Sequence, residues 1–232
     1  MIRGRFITRG IILSRTDFAE ADRILTFLTP DHGKVKAIAK GVRKSKSKLA
    51  GGIELFSVSH ISILVGRGEI NTLMSTRLEK HFGNIVKEVE HTKTGYEFIR
   101  LINKATAEQP EEAYFNLLKM GLANLDDLET DHQLTDILFK MQLLKLAGHS
   151  PNLRSDAAGQ KLEAASSYNF SFDKMCFISD KKGRFKSRHI KFLRLGFSDN
   201  SPKALSRING LEKIIKTCQP LVQTMLQTHL SI

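Results

Sequence analysis

The sequence contains no tryptophan, only two cysteines and no run of about 18 apolar residues. Cys176 and Cys218 lie far apart without a partner motif, which favours buried or incidental thiols over a disulfide or a redox centre. The first residues are not followed by the apolar stretch and small-residue cleavage site of a secretory signal. We therefore expect a cytoplasmic protein without a membrane span.

Motifs for cofactor binding and catalysis are also missing. The eight histidines show no metal-ligand spacing, and the sequence has no Walker loop or dinucleotide loop. Lys40-Gly41 lacks the aspartate that a nucleotidyl-transfer motif needs. These absences favour a binding protein without metal or other cofactor over an enzyme, although a site built from distant segments stays open as an alternative.

Positive charge is abundant and unevenly placed. The formal net charge is +12, and a surface this positive attracts polyanions, nucleic acid before an anionic membrane. Residues 1–80 carry a net charge of +8, residues 81–180 carry −5 and residues 181–232 carry +9. This asymmetry indicates directed binding surfaces at the two ends of the chain.

The first 80 residues show the pattern of a small β-barrel, with short β-branched and aromatic stretches divided by turn residues. Five strands are predicted, near Phe6–Leu13, Arg23–Thr29, Val35–Lys40, Leu55–Val65 and Ile70–Arg77. The turn residues Thr29–Gly33 and Gly66–Gly68 predict hairpins between the second and third strands and between the fourth and fifth.

From residue 81 onward the apolar spacing becomes helical, so we predict an α+β chain: a barrel domain at 1–80 and a helical domain at 81–232. Three helices are expected, with apolar positions at 85–102, 114–122 after Pro110, and 134–146. A hairpin subdomain is expected at about 149–190, pairing a strand at 168–172 with one at 184–188. Ser201 and Pro202 predict a helix start, and Pro220 predicts a kink or break in the last helix.

The basic loop, defined here as Lys40–Lys48, has five cations in nine residues and no acid. Between two barrel strands, such a loop is suited to contact several phosphates, because five-stranded OB barrels bind oligonucleotides beside such loops. A solvated loop that serves only solubility is the alternative. The predicted DNA-binding residues of this domain are Lys34, Lys40, Arg43, Lys44, Lys46, Lys48 and Arg67.

The C-terminal basic run, defined as Lys181–Arg194, has seven Lys or Arg, no acid, and Phe185 and Phe192 between them. Aromatic rings among cations suit single strands, since base stacking and phosphate contacts alternate. A basic hairpin whose aromatic rings face inward is equally compatible. The predicted DNA-binding residues here are Lys182, Arg184, Lys186, Arg188, Lys191 and Arg194.

A family resemblance is carried by ordered segments between residues 17 and 68. They read DFAEADRILT at 17–26, LTPDHGK at 28–34, AKGVRKSKS at 39–47, LF at 55–56 and GRG at 66–68. These segments resemble the N-terminal domain of the RecO family of bacterial recombination mediators. LLKLAGHSPNL at 143–153 looks like the end of that family's central helix.

The resemblance implies an N-terminal OB fold, a helical C-terminal domain and no nucleotide hydrolysis. It also implies binding of single- and double-stranded DNA in the nucleoid, strand annealing, and loading of the RecA recombinase with RecR onto DNA coated by single-strand-binding protein (SSB). The SSB C-terminal tail is expected to bind the helical domain. Many members hold zinc with four cysteines, whose positions here carry Ser155, Ala158, Cys176 and Ser179, so we expect no zinc.

Three other functions remain open from the sequence. An OB-fold RNA-binding protein of translation or ribosome assembly would have similar charge, and only a comparison of RNA with DNA separates the two. An enzyme acting on nucleic acid would show turnover. A basic membrane-surface protein is less compatible, because no amphipathic basic helix is evident.

Overall fold

A computed structural model describes residues 4–106 and 112–230. The chain forms two compact units, an N-terminal unit of residues 1–128 and a C-terminal unit of residues 129–232. No helix within the described ranges is long and apolar enough to cross a membrane.

The N-terminal unit begins with a closed five-stranded barrel of strand order β1-β2-β3-β5-β4. Its strands are β1 (Arg5–Phe18), β2 (Asp22–Thr29), β3 (Gly33–Ala39), β4 (Ser57–Leu64) and β5 (Asn71–His81). β1 closes the barrel by pairing antiparallel with β4, and β3 runs parallel to β5. This arrangement confirms the predicted OB-type barrel and the α+β class.

The turn chemistry explains the register of the barrel. Gly33 adopts φ +61°, and buried Thr29 donates a hydrogen bond from Oγ1 to the Gly33 carbonyl at 2.9 Å. β2 and β3 consequently pair from Thr29 opposite Gly33 to Arg23 opposite Ala39. The fourth strand starts two residues later than predicted because Phe56 has φ +54°, which extended backbone does not allow.

Two helices complete the described part of the N-terminal unit, α1 (Val89–Ala105) and α2 (Glu112–Asp126). Ile85–Lys87, where helical spacing began in the sequence, forms a 3-10 turn before α1. The buried faces of the two helices carry residues such as Phe98, Ile102, Phe115 and Leu118. Pro110, expected before the second helix, lies outside the described residues.

The C-terminal unit contains the helices α3 (His132–Leu146), α4 (Ser187–Gly196), α5 (Pro202–Leu205) and α6 (Leu211–Leu230). Between α3 and α4 lie β6 (Asn152–Asp156), β7 (Ser167–Ser171), β8 (Cys176–Ser179) and β9 (Phe185–Lys186). They form one sheet of order β6-β8-β7-β9. β7 pairs with β9 as predicted, but the subdomain is a four-stranded sheet, because β8 also pairs along β7 and β6 pairs with β8.

Two predictions for the end of the chain need correction. The strand predicted at 184–188 ends at Lys186, because the Lys186 N–H donates to Nδ1 of His189 and the chain turns into α4. Pro220 does not split the last helix, since α6 is continuous across it and buries Ile214, Leu221 and Met225 on one face. The predicted start at Ser201 is confirmed: its side chain accepts from the Ala204 N–H, and Pro202 opens α5.

Candidate nucleic-acid interface

The basic loop is attached firmly to the barrel at its first residues. Gly41 has φ +63°, and its N–H donates to Oδ1 of Asp22 at 2.7 Å. Val42 is buried in the barrel core, and the Arg43 N–H donates to the Ala21 carbonyl at 2.9 Å. The loop therefore leaves the barrel beside the turn that joins β1 to β2.

The far end of the loop is also held. Leu49 packs partly buried against the barrel core, and its carbonyl accepts from Oγ1 of Thr76 at 3.1 Å. Two turns lie between the ends, with backbone bonds from Lys44 to Gly41 and from Ser47 to Lys44. The loop exposes all five of its cations, Lys40, Arg43, Lys44, Lys46 and Lys48. Because the loop is fixed at both ends, it loses less conformational entropy than a free loop would when these cations bind a ligand.

An acid organises the arginines next to the loop. Asp17 Oδ1 accepts from Nε of Arg23 at 2.7 Å, and its Oδ2 lies 3.7 Å from Nε of Arg43. The hydrogen bond from Arg23, with the charges of Arg23, Arg43 and Arg15, lowers the pKa of Asp17 below its usual value. We call Arg15, Arg23 and the five loop cations the rim cluster.

Lys34 and Arg67 do not belong to the rim cluster. Both lie towards the opposite end of β3, a strand whose seven residues extend about 20 Å. Lys34 Nζ donates to the Asn103 carbonyl of α1 at 2.7 Å, so this lysine serves a structural contact. Arg67 is exposed in the β4–β5 turn. Exposed Lys36 lies between the two ends, directly opposite Thr26 of β2.

An aromatic pair lies at the end of the barrel that carries Lys34, away from the rim cluster. The rings of Phe6 and His32 lie 3.9 Å apart between centroids, and they line a cavity of about 460 Å³ together with Lys34, Lys36 and Asn71. The Asn71 side chain is already used, since it accepts from the Gly66 N–H and donates to the Lys36 carbonyl. This wall of the cavity is therefore held in place.

The C-terminal basic run divides between β9 and α4. Lys181, Lys182, Arg184 and Lys186 lie in or before β9, and Arg188, Lys191 and Arg194 recur every third residue along α4. All seven are exposed, although Arg194 also donates from Nε to the Leu153 carbonyl at 2.7 Å. Within residues 4–106 and 112–230, none of the seven forms an ion pair.

The aromatic residues of this run face inward. Phe185 is 6% exposed and Phe192 is 1% exposed, so neither ring is accessible for stacking on a base. Phe185 packs edge-on against Phe177 at 5.5 Å, and Phe192 lies on the buried side of α4. The inward-facing alternative describes these two rings, and the cations alone are exposed.

Buried His189 lies close to three cations of this run. Burial lowers its pKa below the usual value, and the positive charges of Arg188, Lys186 and Arg184 lower it further. Both causes disfavour the protonated imidazole, burial by removing water and the neighbouring cations by repulsion.

Comparison with known proteins identifies the family. The family model described as Recombination protein O N terminal matches residues 1–82, and the one described as Recombination protein O C terminal matches residues 97–232. The chain belongs to the RecO family. The resemblance seen between residues 17 and 68 is thereby confirmed.

Several curated relatives of this RecO-family chain carry the name DNA repair protein RecO. The one from Dehalococcoides mccartyi is 38% identical over 165 residues, which cover 70% of this chain and 64% of the relative. The one from Desulfatibacillum aliphaticivorans is 36% identical over 149 residues, 63% and 58% of the two chains. The one from Listeria innocua is 26% identical over 195 residues, 81% and 75% of the two chains. The matched segments thus span less than two thirds of the first two relatives.

The four positions at which the resemblance implied zinc ligands do not suit a metal in this chain. Ser155, Ala158 and Ser179 supply no thiolate, and Cys176 is buried. The described residues contain no cluster of three or more His, Cys, Asp or Glu that could hold an ion. Instead, Asp156 Oδ1 accepts from the Ala158 and Gln160 N–H groups and shapes the turn after β6.

The aromatic side chains of this sheet supply a core in the same segment. The buried ring of Phe177 packs edge-on against Tyr168, Phe170 and Phe185, with centroid separations of 5.3–6.1 Å.

Cys218 of α6 is the second buried thiol. Burial raises its pKa to about 12, which keeps it protonated and unreactive at neutral pH.

The predicted DNA-binding residues did not include Arg15 and Arg23, which lie beside the basic loop, or exposed Lys36 of β3. Arg15 and Arg23 join the rim cluster through Asp17, which lies opposite Arg23 in the β1–β2 register. Their spacing in sequence carries no such information. Lys36 alternates with buried Val35 and Ala37, so strand periodicity alone would have placed its side chain outside the barrel.

Proposed function

We propose that this RecO-family chain acts in DNA repair and recombination by binding single- and double-stranded DNA and annealing complementary strands. The rim cluster carries the proposal, because it presents seven cations on a closed OB-type barrel with a loop fixed at both ends. Lysine and arginine side chains that neutralise phosphates release condensed counterions, which favours binding without sequence preference.

Annealing follows from the same physical effect. Two complementary strands repel each other as polyanions, and a surface that neutralises both raises their local concentration until base pairing takes over. The C-terminal basic run supplies a second set of phosphate contacts. The protein needs no bond-breaking step for this activity, so we propose a binding function without turnover.

We further propose that the chain works as a recombination mediator. In this role it acts with RecR on DNA coated by SSB, receives the SSB C-terminal tail, and promotes loading of RecA. The support is membership of the RecO family.

Annealing of complementary oligonucleotides coated with the cognate SSB tests the proposal directly. We expect the full chain to accelerate duplex formation, measured by quenching between dyes on the two strands, and to leave labelled DNA uncleaved in the presence of metal and nucleotide. No acceleration would count against the mediator function. Tighter binding to RNA than to DNA of matched sequence would instead favour the RNA-binding alternative.

A further inference from the structure

A cavity of about 360 Å³ opens in the C-terminal unit between the β7–β9 pair and α6. Its wall is mostly apolar and includes one cation of the C-terminal basic run. The residues that matter for its chemistry are Phe170, Phe172, Arg184, Pro220, Leu221 and Thr224. A concave apolar site with a few polar groups is the usual form of a ligand site.

Two aromatic rings remain accessible in this wall. Phe170 and Phe172 are half-buried, and their centroids lie 5.2 Å apart at an interplanar angle of 73°. Phe170 also packs edge-on against buried Phe177 at 5.3 Å, which fixes its position from inside the subdomain. Both rings therefore combine a fixed position with exposed aromatic surface.

One cation of the C-terminal basic run lies in the cavity wall beside these rings. Arg184 forms part of the cavity wall, and exposed Lys182 and Lys186 lie two residues to either side of it along the chain. Asp180 accepts from the Lys182 N–H and from Nδ2 of Asn169, and it forms no ion pair with these cations among the described residues.

We infer that this cavity holds an unpaired base of single-stranded nucleic acid, stacked on Phe170 or Phe172, with Arg184 contacting the adjoining phosphate. The inference rests on the proposed function and adds a base-contacting site to it. A flat apolar base joined to negative charge matches exposed rings beside a cation. A single peptide carboxylate would use Arg184 alone, whereas a run of seven exposed cations fits a chain of phosphates.

Oligo(dT) and an abasic strand of the same length separate stacking from phosphate contact, because the two carry equal charge. The wild-type chain should bind oligo(dT) more tightly, and Phe172→Leu or Phe170→Leu should reduce that preference by between about 5-fold and 150-fold. Neither leucine variant should change the salt dependence. Arg184→Gln should weaken both strands and lower the magnitude of the salt slope by about 0.7.

Tyr96→Leu is the matched control, since Tyr96 is 49% exposed on α1, outside both basic regions, and should leave the preference unchanged. The wild-type chain provides a second measurement that needs no variant. Irradiation with an oligonucleotide containing 5-iododeoxyuridine should cross-link residues 167–172, identified by mass spectrometry. Cross-links confined to the barrel would overturn the inference.

The remaining outcomes distinguish this site from the proposed function. If the wild-type chain binds neither strand, the proposed function fails. If it prefers oligo(dT) and both leucine variants keep the full preference, only the base site is wrong. The base site is also wrong if Phe172→Leu abolishes binding of an acidic peptide with an apolar C-terminus but not the preference for oligo(dT).

Discussion

In the rim cluster, Arg23 and Arg43 share the carboxylate of Asp17, whereas in the C-terminal basic run seven exposed cations have no ion pair within the described part of the chain. The first region fixes the direction of its guanidinium groups with an acid. The second leaves its charges to repel one another. We expect the rim to position a DNA strand and the run to contribute attraction that depends strongly on salt.

Removing three charges from either region should have the largest effect. We expect Lys44→Ala, Lys46→Ala and Lys48→Ala combined to lower the magnitude of the salt slope by about 2 on single strands and about 3 on duplex DNA. Lys182→Ala, Lys186→Ala and Lys191→Ala combined should do the same. Fluorescence anisotropy over a salt series measures both.

A triple substitution of equal charge provides the control. Lys87, Lys93 and Lys104 are exposed on or next to α1, outside both basic regions, and their replacement by alanine should leave the slope nearly unchanged. If this control lowers the slope as much as the rim triple does, DNA binding depends on net charge alone. Neither the rim cluster nor the C-terminal basic run would then be a specific DNA contact.

Asp22→Ala separates loop anchoring from charge. Loss of the bond from the Gly41 N–H to Asp22 should destabilise the fold by about 1.5 to 3 kcal/mol in urea unfolding, because hydrogen bonds to charged groups are stronger than neutral ones. DNA affinity should also fall, although removing an acid would strengthen binding by charge alone. Glu20→Ala removes an exposed acid from the same turn and should not weaken binding. Tighter binding by Asp22→Ala would show that the anchor is irrelevant.

The contrast between the regions also shows what the sequence could reveal. The five barrel strands were predictable, because alternation and turn residues such as Pro30 and Gly33 determine them locally. Arg23 could not be assigned to the rim cluster, since its contact with Asp17 depends on the β1–β2 register. β8 was not predicted because Cys176–Ser179 is only four residues long, and its own residues do not indicate that it pairs with β7.

The C-terminal basic run has a helical spacing in its second half that the sequence analysis did not use. Arg188, Lys191 and Arg194 are spaced by three, and Ile190 and Leu193 lie between them on the buried side. This pattern fits a helix, yet the five residues at 184–188 alternate cations with other residues and also suit a strand. The cap at His189 decides the boundary at Lys186, and that contact requires the folded chain.

Asp17→Asn should have a smaller effect than loss of the loop anchor. The amide can still accept a bond from Arg23, but Arg23, Arg43 and Arg15 no longer face a negative charge. We expect single-strand affinity at neutral pH to rise by about 1.5-fold to 5-fold, the range of an exposed ion pair. Glu20→Gln is the control of equal charge. Weaker binding by Asp17→Asn would mean that the acid chiefly positions the arginines.

The smallest expected change is in the titration of His189. Because its folded pKa lies below the usual 6.5, the unfolded chain takes up the proton more readily. Its contribution to stability is therefore complete above about pH 6.5 and decreases as the pH falls towards the folded pKa.

Phosphates bound by Arg184, Lys186 and Arg188 would offset the repulsion between these cations and a protonated His189, so single-stranded DNA should raise the pKa of His189. Nuclear magnetic resonance of the histidine rings, with the signal assigned through His189→Gln, measures the shift. An unchanged pKa at saturating DNA would place the bound phosphates away from the C-terminal basic run and leave the rim cluster as the sole candidate interface.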